Sequence, residues 1–170
     1  MMTTFIANFV GKATPATIKE FAAVTHENDG KWLISKVNFI EDQVAAVIKI
    51  ELPQQNEQIV KDAISSNSDL LVKFVDSDST SNGKEEVFEL RLDANDRAGI
   101  VNEITSMLDG QAIHILDMDC HRVFIAGGGG VSSSLFTANL AIRLPEELNI
   151  DDVTKELESL SEDTRVILKT

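Results

Sequence analysis

Hydrophobic residues recur with two different spacings along this chain. Alternating apolar positions, typical of a strand with one buried face, open each half of the sequence: Phe5, Ala7 and Phe9, then Phe88, Leu90 and Leu92. Apolar residues three or four positions apart are typical of amphipathic helices. They form four stripes: Ile18, Phe21 and Ala22; Ile59, Val60, Ala63 and Ile64; Ile100, Val101, Ile104, Met107 and Leu108; Ile150, Val153, Leu157 and Leu160. The pattern predicts four helices set between strands.

The two halves of the chain repeat one another. Thr14 to Phe21 aligns with Arg97 to Ile104 at an offset of 83 residues, and the alternating positions match at the same offset. Ile48 to Pro53 aligns with Leu140 to Pro145 at an offset of 92. The second half has therefore gained nine residues, which we place in its Gly- and Ser-rich run.

Each half predicts the order strand, helix, strand, strand, helix, strand. With right-handed crossovers this order folds as a four-stranded antiparallel sheet with both helices on one face, the ferredoxin-like arrangement. We expect an α+β protein with domains at residues 1–75 and 85–170, joined by a polar linker at 76–84. The other face of each sheet, either solvated or half of an interface, carries polar groups among smaller apolar ones: Lys49, Glu51, Glu89, Arg91, Asn139 and Arg143.

Composition narrows the possible partners. The formal charge is −13 and the pI about 4.5, so direct nucleic-acid binding and an anionic membrane surface are not expected, because both require clustered cations. A single cysteine suits a reducing compartment, which predicts the cytoplasm. The first ten residues contain no Lys or Arg before their apolar run, so we expect no secretory signal.

One uncharged stretch, Val123 to Ile142, has the length of a membrane span. Nine of its twenty residues are glycine, serine, threonine or asparagine. Such a composition favours a polar loop that leads into a strand rather than a lipid-facing helix.

Several functions common to this fold lack the residues they need. An RNA-binding sheet would need exposed aromatic residues, yet the chain has no tyrosine and one tryptophan. Cys120 stands alone, and strand alternation sends it to the face opposite Asp119 and His121, which leaves a poor metal site. No serine or cysteine lies in a recognisable relation to a base. We therefore expect no enzyme, no metal and no cofactor.

The loop from Asp93 to Val101 carries the most specific chemistry. Asn95 and Asp96 place side-chain acceptors just before a predicted helix, and Gly99 allows close approach to its backbone. The free N–H groups of a first helical turn favour a carboxylate. The loop thus offers oxygen atoms that can accept from an ammonium group beside N–H groups that can donate to a carboxylate. This combination suits a free amino acid. Simple capping of the helix by Asn95 or Asp96 is the alternative interpretation.

The same loop, Asp96-Arg97-Ala98-Gly99-Ile100-Val101, resembles the Asp-Arg-Pro-Gly-Ile-Val segment of the ACT-domain family, with alanine in place of proline. Ala112 to Ile115 is similar to the family's Gly-Ile-Asn-Ile segment. Two such domains in one chain resemble the glycine cleavage system transcriptional repressor family. In the first half, Lys12 to Ala16 lacks the acid and the glycine of the loop.

The resemblance implies a ligand bound between two ACT domains. The contacts it carries over are Asn95, Asp96, Gly99 and Ile100. The wall opposite the loop would be either Trp32 to Ile34 of the first half or the His114 segment of a second chain.

By this resemblance the chain is a non-enzymatic, amino-acid-responsive regulator of amino-acid metabolism or transcription. Its partners would be a small amino acid such as glycine and a protein such as a transcription factor. A ligand-free assembly module and a regulatory subunit of a separate amino-acid enzyme stay open as alternatives. Unpaired edge strands also allow pairing within the chain or a homodimer.

Overall fold

The computed structural model describes residues 1–78, 86–126 and 132–169. The chain divides into two units, Met1–Asn82 and Gly83–Thr170. Gly127 to Gly130, where the sequence predicts a hairpin tip, and most of the predicted linker lie outside the described residues.

The first unit follows the predicted order. Its elements are β1 (Met2–Lys12), α1 (Pro15–Glu27), β2 (Lys31–Ile40), β3 (Gln43–Pro53), α2 (Glu57–Ser65) and β4 (Leu70–Asp76). The strands form one sheet in the order β2-β3-β1-β4, and all neighbours are antiparallel. Pro15 begins α1, where a missing N–H has no consequence, and Pro53 ends β3.

The second unit repeats this arrangement. Its elements are β5 (Val87–Asn95), α3 (Ile100–Gly110), β6 (His114–Ala126), β7 (Ser132–Arg143), α4 (Ile150–Glu158) and β8 (Arg165–Lys169). The sheet order is β6-β7-β5-β8, again antiparallel throughout. The predicted α+β fold with two ferredoxin-like halves is confirmed.

The repeat extends to details of strand pairing. Phe5 faces Ile50 in the first sheet, and at the offsets of 83 and 92 Phe88 faces Ile142 in the second. Each second strand has a bulge, between Trp32 and Ile34 in one half and at the equivalent place in β6 in the other. Such agreement of register and irregularity is what a duplicated unit requires.

The nine additional residues lie at the end of one hairpin. The β2–β3 pairing runs to Ile40 and Gln43, with two residues between them. The equivalent pair in the second unit is Val123 and Leu135, with eleven residues between them. Three further pairs, from Phe124–Ser134 to Ala126–Ser132, extend this hairpin beyond the point where the first one closes.

Each unit has its own hydrophobic core between its sheet and its helices. The predicted stripes supply it, with Ile104 and Leu108 of α3 at most 1% exposed and Val60 and Ile64 of α2 equally buried. The prediction that Ile59 belongs to the buried stripe of α2 is wrong, because its side chain is 52% exposed. Val60 and Ile64 already face the sheet, and a neighbouring helical position is rotated by about 100° from them.

No helix among the described residues is long and apolar enough to cross a membrane. Where the structure describes the uncharged stretch from Val123 to Ile142, it forms parts of β6 and β7.

Candidate functional site

The loop between β5 and α3 turns sharply at Gly99. This residue is the N-cap of α3, with φ +84° and ψ 0°, and no side chain caps the helix. The interpretation of Asn95 or Asp96 as the helix cap is therefore wrong. As in every α-helix, the first N–H groups of α3 have no acceptor within the helix. A Cβ on Gly99 would meet no atom within 4 Å, so the space above this turn is open.

Asp96 fastens the loop to the β6–β7 hairpin. One carboxylate oxygen accepts a hydrogen bond from Nε of Arg122 at 2.9 Å, and the other accepts from Oγ of Ser134 at 3.1 Å. Its backbone N–H donates to the carbonyl of Ser134 at 3.0 Å. The Asp96 side chain is 20% exposed, so its remaining lone pairs can accept from an additional donor in solvent.

Asn95 is held through its backbone rather than its side chain. Its N–H donates to Oδ2 of Asp163 at 2.5 Å, and Oγ of Ser161 donates to Oδ1 of the same carboxylate at 2.7 Å. These two bonds stabilise the ionised form and lower the pKa of Asp163 below its ordinary value, the bond from Asn95 contributing most. The Asn95 side chain is exposed and can face a ligand.

Arg97 links the loop to α3 and to the segment before β8. Its guanidinium forms an ion pair with Glu103 and donates to the carbonyl of Leu160 at 3.5 Å. The hydrogen bond between them lowers the pKa of Glu103 and raises that of Arg97. Because Arg97 already has these partners, its role in the described structure is to shape the loop.

The four predicted ligand contacts do not have equal access. Asn95, Asp96 and Gly99 share one loop, and the structure leaves the first and the last of them exposed. The Ile100 side chain is 2% exposed and packs into the core of the second unit. Ile100 can therefore offer a ligand its backbone N–H but not its side chain.

Sequence reasoning did not find Arg122, Ser134 and Asp163. These residues lie 26, 38 and 68 positions from their partners in the loop. The backbone bond from Asp96 to Ser134 has its equivalent in the first unit, where the N–H of Ala13 donates to the carbonyl of Asp42 at 3.2 Å. The side-chain contacts have none, because Phe39 and Asp42 stand at the places of Arg122 and Ser134. The chain pattern therefore carried no signal for them.

The acidic and histidine residues of β6 do not assemble a metal centre. His121 Nε2 lies 2.8 Å from an oxygen of Asp119, and both side chains are about 60% exposed. Cys120 packs against the core on the other face, as strand alternation predicted, and burial raises the pKa of its thiol. Across the described residues, no group of three metal-ligating side chains is found.

The equivalent loop of the first unit is built differently. Lys12, Ala13 and Ala16 occupy the places of Asn95, Asp96 and Gly99. Thr14 is the N-cap of α1, and its side chain makes no capping bond. Gly11, near the end of β1, does not correspond to Gly99. It allows a close approach of two backbones, because its φ is +146° and a Cβ there would lie 2.2 Å from the carbonyl oxygen of Asp69. This loop therefore has neither a carboxylate at the place of Asp96 nor a glycine at the place of Gly99.

The sequence matches no protein-family model and no curated protein. Solved structures do share its fold. A protein of unknown function from Galdieria sulphuraria superposes with a TM-score of 0.81 at 16% identity, covering 99% of this chain and 98% of that one. A protein provisionally assigned as a glycine cleavage system transcriptional repressor superposes with a TM-score of 0.66 at 12% identity, covering 99% of both chains. The chain therefore shares the fold of these two proteins, two βαββαβ units in tandem, and one of them is assigned to the repressor family that its sequence resembles.

Proposed function

We propose that this chain is a regulatory protein without catalytic activity, whose second unit senses a small amino acid. The observation that carries the proposal is the open, left-handed turn at Gly99 beside the partly exposed carboxylate of Asp96. The free N–H groups at the turn can bind the carboxylate of a zwitterionic amino acid, and the carboxylate of Asp96 can bind its ammonium group. The shared fold with a protein assigned as a glycine cleavage repressor supports the proposal and points to glycine as the first ligand to try.

In this proposal the ligand carboxylate accepts from the free N–H groups at the start of α3. The ligand ammonium donates to Asp96, which already binds Arg122 and Ser134, and to the exposed amide oxygen of Asn95. Because a small residue is needed where the ligand meets the backbone, Gly99 sets the closest approach.

The output of such a sensor is a change in protein contacts. A ligand shifts an equilibrium between two arrangements only by its differential affinity for them. We propose that amino-acid binding favours one arrangement of the chain or of a homodimer in the cytoplasm, and so changes its affinity for a partner protein such as a transcription factor. The strongly acidic surface, with a net charge of −13, favours a protein partner over direct DNA contact.

The proposal is tested by a thermal-shift screen against the twenty amino acids, with calorimetry on each hit. A ligand that binds only the native state raises the melting temperature. We expect a small amino acid to do so, and Gly99→Asn to abolish the effect, because asparagine tolerates the left-handed conformation but fills the open space above the turn.

The matched control is Ala16→Asn, at the equivalent position of the first unit. It should leave the melting shift unchanged. If no amino acid shifts the melting temperature at millimolar concentration, or if Gly99→Asn binds as the wild type does, the sensor proposal fails.

Two observations favour a second candidate, a ligand-free interaction module. The first-unit loop lacks the acid and the glycine, and both carboxylate oxygens of Asp96 already have partners. Co-purification would then recover a constant partner whatever amino acid is present. If that partner were an amino-acid enzyme rather than a transcription factor, the chain would be its regulatory subunit.

A further inference from the structure

The face of the first sheet that points away from the helices carries exposed apolar side chains among its polar ones. Its six exposed large side chains are Val10, Ile34, Ile40, Val47, Leu71 and Val75, between 42% and 79% exposed. A groove of about 420 Å³ runs along this face, and a second of about 510 Å³ adjoins it at Val10 and Leu71. We call this surface the outer face of the first sheet.

The second unit provides an internal reference for this surface. At the offsets of the repeat, the positions of Val10 and Ala45 are occupied by Asp93 and Thr137. Arg165 pairs with Asp93 as Leu71 pairs with Val10. The polar groups there satisfy one another: Thr137 and Arg91 both donate to Asp93, at 2.9 and 3.0 Å. The equivalent face of the second sheet has four exposed large apolar side chains, Val87, Val123, Ile125 and Ile167, against six in the first sheet. At the centre of the face, the first unit is therefore apolar where the second is polar.

Charge indicates what can approach this face. The first groove contains two charged lining residues, Lys36 and Lys73, and no carboxylate. The chain as a whole carries −13, so most contacts between two copies would place acidic groups together. The first groove avoids that repulsion because no carboxylate lines it. Lys49 and Glu51 of β3 lie on the same face of the sheet, outside this groove.

We propose that two copies of this chain associate through the outer face of the first sheet. The inference rests on the homodimer named in the proposed function and assigns it a surface. Four strands about 4.8 Å apart, over seven residues rising about 3.4 Å each, give a footprint of about 450 Å² per copy. The total for two copies is then about 900 Å², the size of a weak interface that forms at high protein concentration.

The test is sedimentation velocity on the full chain between about 1 and about 200 µM, which brackets the affinity of a small interface. We expect a dimer that forms with rising concentration. Leu71→Glu should raise the dissociation constant about a hundredfold, because a two-fold contact contains the substituted residue twice. Leu71 is 78% exposed on an edge strand, and a thermal melt of the variant shows that the fold is kept.

The control variant is Ile167→Glu, the same change of chemistry on β8 of the second sheet, where the side chain is 54% exposed. It should leave the dimer intact. A chain that stays monomeric, or a dimer that Leu71→Glu does not weaken, overturns the proposal.

Salt separates this dimer from a contact based on lysine charge. Raising the salt from about 0.1 to about 1 M should strengthen the dimer, because it screens the repulsion between two acidic chains. Weakening by salt would mean that the face binds acidic groups and would overturn the proposal. These sedimentation measurements are made without any amino acid. A failure of the proposed amino-acid binding can therefore be distinguished from a failure of the proposed dimer.

Discussion

At Gly99 a single backbone angle decides which side chains the turn accepts. The sequence predicted a close approach at this glycine but not that it caps α3 with φ +84°. Since a Cβ there would touch nothing within 4 Å, the obstacle to substitution is conformational rather than steric. The energetic cost of the left-handed conformation is largest for a β-branched residue.

Gly99→Val should therefore lower the free energy of unfolding by about 1–3 kcal/mol, the range for a strained left-handed residue. Gly99→Asn should lower it less, because asparagine tolerates this conformation. Urea denaturation of both variants measures the difference. Equal losses would show that strain at this residue is not the cause.

Asp163 makes the stability of this loop depend on pH. Its pKa is lowered in the folded state, chiefly by the Asn95 N–H. The stabilisation is present in full above the unfolded pKa of Asp163 and is lost as the pH falls through the lower folded value.

Asp163→Asn should therefore reduce the free energy of unfolding at pH 7, and the gap to the wild type should narrow as the pH falls below the ordinary aspartate pKa of about 3.9. Denaturation curves at several pH values provide the measurement. A gap that stays constant with pH would indicate a steric effect instead.

At the scale of elements, periodicity predicted most of the architecture, because each helix and strand buries one face of its own sequence. The stripe of α3 and the alternation of β5 both follow this rule. Ile59 did not, since apolar character alone cannot show which of two adjacent helical residues faces the sheet. The partners of Asp96 escaped prediction because they depend on pairing between distant strands.

Asp96→Ala should loosen the outer end of the β6–β7 hairpin. Arg122 and Ser134 would lose their shared acceptor, and a lost hydrogen bond to a charged group costs about 1.5–3 kcal/mol, less here because the pair is partly solvated. Hydrogen exchange should quicken in β6 and β7 near these residues and stay unchanged in the β2–β3 hairpin. Uniform change across both sheets would contradict a local role.

At the scale of the whole molecule, two separate cores define two cooperative units. Ile48 and Leu140 occupy equivalent places in them and are at most 3% exposed. Truncation of either to alanine creates a cavity that costs about 2–5 kcal/mol.

Calorimetry should therefore resolve two transitions in a chain that carries either substitution. Ile48→Ala should lower the transition of the first unit and Leu140→Ala that of the second. A single transition that moves equally with both variants would show that the units unfold together.

The extended hairpin of the second unit has a shorter counterpart in the same polypeptide. Ile40 and Gln43 close β2–β3 at the register that Val123 and Leu135 occupy in β6–β7. Grafting Glu41 and Asp42 in place of residues 124–134 should therefore yield a miniature second unit whose remaining strands stay in phase. Such a trimmed chain would separate what the shared βαββαβ unit does from what the longer hairpin contributes.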